Sequence, residues 1–289
     1  MERNKGIPMK VIDSFCYFNE ADLCTIRLEY LNSVVDHFVI LESTHTWRGT
    51  RNTPNFMERV WPNLSKEIQN KIHHKVIDHP DEWLNEESWR KKLVQDKMRD
   101  SLVYEARTLG LPDAYFMYND LDEIWDKRLI KNLKLLLEQH RHVCCVQDYR
   151  IVYVDWKAKM GGWGGSRFTV LSRLPEERPM SYGKFKYIKH KAGQRMHPIQ
   201  CGWHFSYFGS ADQREAKLKS IKDTRNWEQK KNMTYEQIAN SVNSIREWNN
   251  ASRKRKQDAV QMDSINLDPE LERIFKKYPH LFFKEENAK

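Results

Sequence analysis

No stretch of the 289-residue sequence approaches the ~18 consecutive apolar residues that a membrane-spanning helix needs. The opening residues, Met1-Glu-Arg-Asn-Lys-Gly6, lack the apolar segment of a secretory signal. From these two absences we expect a soluble, unanchored protein of the cytoplasm. Cysteine is scarce and unpatterned: Cys16, Cys24, Cys144, Cys145 and Cys201 are odd in number and form no C-x-x-C pair. Neither a disulfide framework nor a zinc site is indicated, and buried, reduced thiols are the expectation. A phosphate loop is also missing, because Gly161-Gly-Trp-Gly-Gly165 has neither the G-x-x-x-x-G-K-[ST] spacing nor a strand before it and a helix after it. Those glycines would instead let Trp163 approach a bound ligand closely.

What is present is an ordinary globular composition, 39% apolar and 31% charged, with 10 Trp, 12 Tyr and 12 Phe. Aromatic faces serve cores first and sugars or bases second. The net charge of +9 is uneven: residues 1–140 hold 20 Lys/Arg against 23 Asp/Glu, and residues 141–289 hold the remaining 29 against 17. A second half at +12 attracts an anionic partner, whether a diphosphate, a nucleic acid or a membrane surface.

Along the chain, Lys10–Tyr17 reads as a strand, Glu20–Leu31 as a helix with Leu23, Ile26, Leu28 and Leu31 at helical spacing, and Asp36–Leu41 as a second strand. A β-α-β opening implies parallel strands and an α/β fold. A third strand follows at Ile72–Asp78, then a long helix from about Glu86 to Leu109 that Gly110 and Pro112 end. After another strand, a helix (Lys127–Gln139) and a strand at Val143–Gln147, the pattern changes. Short β-like pieces (Ile151–Val154, Phe168–Ser172, Trp203–Phe208) alternate with Gly-rich and basic loops. Near the end, Thr234–Trp248 and Glu270–Tyr278 read as helices, the second opened by Asp268-Pro269.

The chemistry concentrates at Ala114-Tyr-Phe-Met-Tyr-Asn-Asp-Leu-Asp-Glu-Ile-Trp125. The apolar run is a strand buried on both faces, and it stops at Asp120, Asp122 and Glu123. Open α/β sheets bind ligands beyond the carboxyl ends of their strands. Hard carboxylate oxygens there suit Mg²⁺ or Mn²⁺, whose other positions go to water and substrate phosphates. The competing reading is that Asp120 to Asp126 cap the helix that follows.

In order along the chain, Asp13-Ser-Phe-Cys-Tyr-Phe-Asn-Glu20, Leu23, Arg27-Leu28, Val35–Ser43, Thr46-Trp-Arg-Gly49, Trp83, Glu86, Arg90, Asp120-Leu-Asp-Glu-Ile124 and Gly202-Trp-His204 resemble glycosyltransferase family 17 over roughly residues 10–225. The resemblance implies a GT-A fold, meaning a Rossmann-like mixed sheet flanked by helices. It further implies a UDP-sugar donor (UDP-N-acetylglucosamine in known members), a divalent cation and inversion at the anomeric carbon. We expect one domain over 1–225, with a donor half (1–140) and an acceptor half (141–225), and a helical C-terminal extension over 226–289. The chain departs from the animal members in having no anchor or stem and in placing Trp125 where proline is usual.

Under this reading Asp122 is a direct metal ligand, Asp120 assists through a ribose hydroxyl or a metal-bound water, and His204 is either a third ligand or a core residue. Glu123 orients its neighbours. Glu20, Glu42, Ser43 and Arg90 are candidate donor contacts, as are Trp163 and Lys189 of the basic segment Lys184–Arg195 that would close over the diphosphate. The general base is sought among Asp148, Asp155 and Asp212. The function expected is metal-dependent, inverting transfer of a sugar to a glycan acceptor. The alternatives are transfer to a nucleic-acid base such as a hydroxymethylated pyrimidine, and a non-catalytic binding module of the same fold.

Overall fold

The computed structural model describes residues 9–85, 92–159, 162–174, 196–220 and 259–283, together with Glu87 and Gln237. Its first strand, β1 (Val11–Cys16), leads through helix α1 (Ala21–Leu31) to β2 (His37–Ser43), and the strands pair in parallel with Ile12 beside His37 and Cys16 beside Leu41. Two short helices, α2 (Phe56–Arg59) and α3 (Lys66–Gln69), precede β3 (Ile72–Ile77), which extends the parallel sheet. Helix α4 (Leu93–Arg107) returns the chain to β4 (Tyr115–Tyr118) on the other side of β1. The parallel half therefore runs β3-β2-β1-β4, a doubly wound core as the β-α-β opening implies.

The other half is antiparallel at its junction. Following β5 (Glu123–Ile124) and helix α5 (Ile130–Gln139), the long β6 (His142–Ile151) turns at Val152 into β7 (Trp156–Ala158). Next, β8 (Trp163–Val170) inserts between β6 and β4, antiparallel to both. Finally β9 (Met196–Ser206) runs parallel to β6 and antiparallel to β5, before helix α6 (Ala211–Ser220). A short β10 (Ala259–Gln261) edges the sheet beside β7, and helix α7 (Pro269–Phe275) ends the regular structure. This is the mixed α/β sheet flanked by helices expected of the GT-A fold.

Strands of the parallel half are apolar on both faces because helices cover both. On one side Phe15, Phe38, Ile40 and Met117 pack with α1 residues such as Leu23 and Leu28 and with α7 residues Leu271, Ile274 and Phe275. On the other, Ile12, Val39, Leu41 and Phe116 pack under Val94, Met98 and Leu102 of α4. The described C-terminal stretch belongs to the same core: Phe275 stands 4.8 Å from Phe205, ring to ring, and the Val154 N–H donates to the Leu281 carbonyl at 2.9 Å. The expected helix at 234–248 lies outside the described residues.

Of the expected long helix, Leu93–Arg107 and Glu87 are helical, with Lys92 in the left-handed region (φ 59°), and residues 86 and 88–91 lie outside the described residues. One expectation is corrected. Cys145 and Cys201 are joined by a disulfide across β6 and β9, whereas Cys16, Cys24 and Cys144 are not disulfide-bonded. Residues 56 apart carry no spacing signal that they meet.

Candidate functional site

At the carboxyl ends of β1, β2 and β4 lies a cleft of about 290 Å³, lined among others by Glu20, Trp47, Asp120, Asp122, Trp163 and His204. The loop that carries the acids is held from below. Arg27 of α1 and Asp13 of β1, both wholly buried, form a two-pronged pair at 2.8 and 2.7 Å. The same guanidinium donates to the carbonyls of Leu121 at 3.2 Å and Glu123 at 2.6 Å. Asp13 also accepts from Asn119 at 2.7 Å and from the Trp125 indole at 3.0 Å. A buried charge pair is tolerable only when its remaining donors and acceptors are used, and here backbone carbonyls of the acid loop use them.

Asp122 sits almost out of solvent, its Oδ2 2.8 Å from Lys217 Nζ and its Oδ1 3.4 Å from His204 Nε2. Burial alone would raise its pKa, but Lys217 and His204 outweigh burial and hold the carboxyl well below the usual range. Asp120 lies at the mouth, its Oδ1 3.4 Å from Arg99 Nη2. Glu123 is fully buried between them; it accepts from the Asp120 backbone N–H at 2.9 Å and from the Trp163 indole at 2.9 Å. It orients both the first acid and the aromatic wall. That wall stacks His204 on Tyr149 (4.7 Å, 8°) and against Trp163 (4.6 Å, 37°).

His204 reaches this place through an irregularity of β9. Between the pairs Val146–Gln200 and Asp148–Trp203, β6 has one residue and β9 has two, Cys201 and Gly202. The extra residue is a bulge, which shifts the side-chain alternation and aims His204 at the acids. Gly202 adopts φ +91°, and a Cβ there would stand 2.4 Å from the Ile124 carbonyl oxygen. The glycine of Gly202-Trp-His204 is thus required by the close approach of the acid loop. The Nδ1 of His204 is buried without a hydrogen-bond partner.

The remaining candidates divide. Ser43 and Glu20 line the cleft with Trp163, and Glu20 Oε1 lies 3.1 Å from Lys217 Nζ. Glu42 does not: one residue from Ser43 on the strand, it faces the other way, accepts from the Asn55 N–H at 2.8 Å and pairs with His74 at 2.8 Å. Asp148 lies on the face opposite Tyr149 in a separate cleft, bound to Arg150 and Lys157 at 2.7 Å each. Asp155 accepts from the Phe283 N–H at 3.0 Å, and Asp212 is exposed on α6; neither lines the cleft. Arg90 and the Lys184–Arg195 segment with Lys189 lie outside the described residues. Sequence reasoning missed Lys217, Arg99 and His45, the last of which also lines the cleft. Each is an unremarked polar residue whose place depends on how distant elements pack.

Acids at the strand ends, an aromatic wall and cationic neighbours thus share one cleft. The sequence model for glycosyltransferase family 17 matches residues 2–245. The chain belongs to glycosyltransferase family 17. It is similar to the human beta-1,4-mannosyl-glycoprotein 4-beta-N-acetylglucosaminyltransferase, 31% identical over 137 residues that are 45% of this chain and 25% of the relative. The rat enzyme is 31% identical over 45% of this chain and 24% of its own length, and the mouse enzyme 30% with the same coverage. The match thus spans about a quarter of these relatives. A manganese complex from Mycobacterium tuberculosis overlaps 74% of this chain and 100% of that one at 9% identity, with a TM-score of 0.41.

Proposed function

We propose that this chain transfers N-acetylglucosamine from a UDP-sugar to a glycan acceptor, with inversion and with a divalent cation. The observation that carries the reading is the placement of Asp120, Asp122, His204 and Trp163 around one cleft at the carboxyl ends of the parallel strands. The donor set fits an ion that brings its own ligands. No group of three His, Cys, Asp or Glu side chains among the described residues is placed to hold a metal ion by itself, but Asp122 Oδ1 and His204 Nε2 converge at 3.4 Å. One or two protein ligands plus water and phosphate oxygens are the usual surroundings of Mg²⁺ and, by the same hard-oxygen chemistry, of Mn²⁺. When bound, such an ion neutralises charge on the departing diphosphate.

The chain's own residues do the rest. Asp122 and His204 would hold the ion, and Asp120 takes a ribose hydroxyl while Arg99 fixes its direction. Trp163 and Tyr149 give the sugar a flat apolar wall and keep water from the reacting carbon. The acceptor proton goes to a carboxylate that reaches the cleft, and with Asp120 and Asp122 given to the donor and the ion, Glu20 is the candidate among the described residues. The relatives' glycoprotein activity favours a glycan over a nucleic acid as acceptor. A UDP-sugar panel assayed with and without Mn²⁺ tests the proposal: UDP-N-acetylglucosamine turnover should require the ion and vanish in Asp122→Ala. Metal-independent turnover that survives the substitution would remove it.

A further inference from the structure

The acid assigned above to the divalent ion already has a cation. Lys217 reaches in from α6 and places its Nζ 2.8 Å from Asp122 and 3.1 Å from Glu20, with a side chain only 14% exposed. Ammonium groups are rarely buried unless paired, and this one is paired twice. The helix that carries it is anchored: Leu218 packs with Tyr149 and Tyr207, and the Gln213 side chain donates to the Asn19 carbonyl, beside Glu20, at 3.2 Å. The lysine is therefore a fixed part of the acid cluster, set between the two carboxylates from opposite sides of the cleft.

We propose that Lys217 is the resident counter-ion of Asp122 and Glu20, and that a divalent ion gains Asp122 only when the donor diphosphate draws the ammonium away. The inference rests on the assignment of Asp122 to the ion. An ammonium and a divalent ion on one carboxylate repel at close range, in a site where water screens them poorly. The diphosphate removes the conflict, since it supplies the ion with oxygens and the lysine with a new anionic partner. The protein alone is then a weak binder of Mn²⁺, and Mn²⁺ and nucleotide strengthen one another reciprocally. Lys217 acts as a positioning residue that ties ion binding to the arrival of substrate.

The test is Mn²⁺ binding to the full chain, read from the paramagnetic resonance of free Mn²⁺, with and without UDP. Lys217→Met and Lys217→Gln should bind Mn²⁺ alone about tenfold or more tighter than the parent, and UDP should raise the parent's affinity about tenfold but theirs only about twofold. Lys217→Arg, which keeps the charge, should behave as the parent. If removing the two acids' counter-ion loosens the fold, Mn²⁺ should raise the melting temperature of Lys217→Met more than that of the parent, which a purely structural lysine would not produce. Should both neutral variants bind Mn²⁺ alone no tighter than the parent alone does, while the parent still binds it with UDP, the inference is overturned and the proposed function stands. If no protein binds Mn²⁺ in either condition, both fall.

Discussion

Replacing Arg27 by Met tests the link from helix α1 to the acid loop. The guanidinium is wholly buried and spends its N–H groups on Asp13 and on carbonyls of the loop that carries Asp120 and Asp122. Met fills a similar volume but leaves Asp13 charged without its cation and at least two carbonyls without donors. Breaking a buried pair in this way costs about 3–5 kcal/mol, and each abandoned carbonyl adds about 1 kcal/mol or more, partly offset by water entry. A net loss of about 4 kcal/mol is a large share of the 5–15 kcal/mol by which a domain is stable. Arg27→Lys keeps the charge but loses the fork, and should fall near half that loss. Urea unfolding measures both, and UDP titration of the still-folded Arg27→Lys reads the position of the acids. A loss below about 1 kcal/mol for Arg27→Met would refute the claim that this pair holds the loop.

Gly202→Ala should destabilise by about 2 kcal/mol or more, from a positive φ and a Cβ 2.4 Å from the Ile124 oxygen; denaturant midpoints check it. Cys145 and Cys201 should resist alkylation until reduced, and the chain-entropy relation for a separation of 56 gives a loss of up to about 4 kcal/mol in Cys145→Ser/Cys201→Ser. A pair labelled as readily as free thiols would contradict it. Burial lowers the pKa of His79 and of His142 to about 4. Because the unfolded rings bind protons near 6.5 and the folded ones do not, stability is present above 6.5 and is lost as pH falls from there toward 4. Partial exposure reduces the nominal ~3 kcal/mol per ring to about 1–2, and His79→Gln with His142→Gln should flatten the stability profile across that window.

The parallel half of the fold was legible because its signals are local. Apolar runs of strand length, the helical spacing of α1 and the acids that close β4 all follow from period and length. Motif order pointed to the acid loop and to His204 without showing why Gly202 precedes it; the bulge that needs this glycine exists only once β9 meets β5 and β6. Strand phase was the weak point. Glu42 and Ser43 are neighbours, as are Asp148 and Tyr149, yet one of each pair faces the cleft and the other does not. Nothing in a short strand that is apolar on both faces tells which is which. Lys217 lies 95 residues from Asp122, and its partnership arises from the docking of α6 against the loop after β1.

Calorimetric titration of UDP in the presence of Mn²⁺, into the parent and into Asp122→Asn, addresses the acid site most directly. The account predicts Mn²⁺-dependent binding to the parent and a weakening of about tenfold or more in the variant, with the variant's melting temperature still well above the assay temperature to exclude unfolding. Equal affinity for UDP in both proteins, with or without the ion, would contradict it.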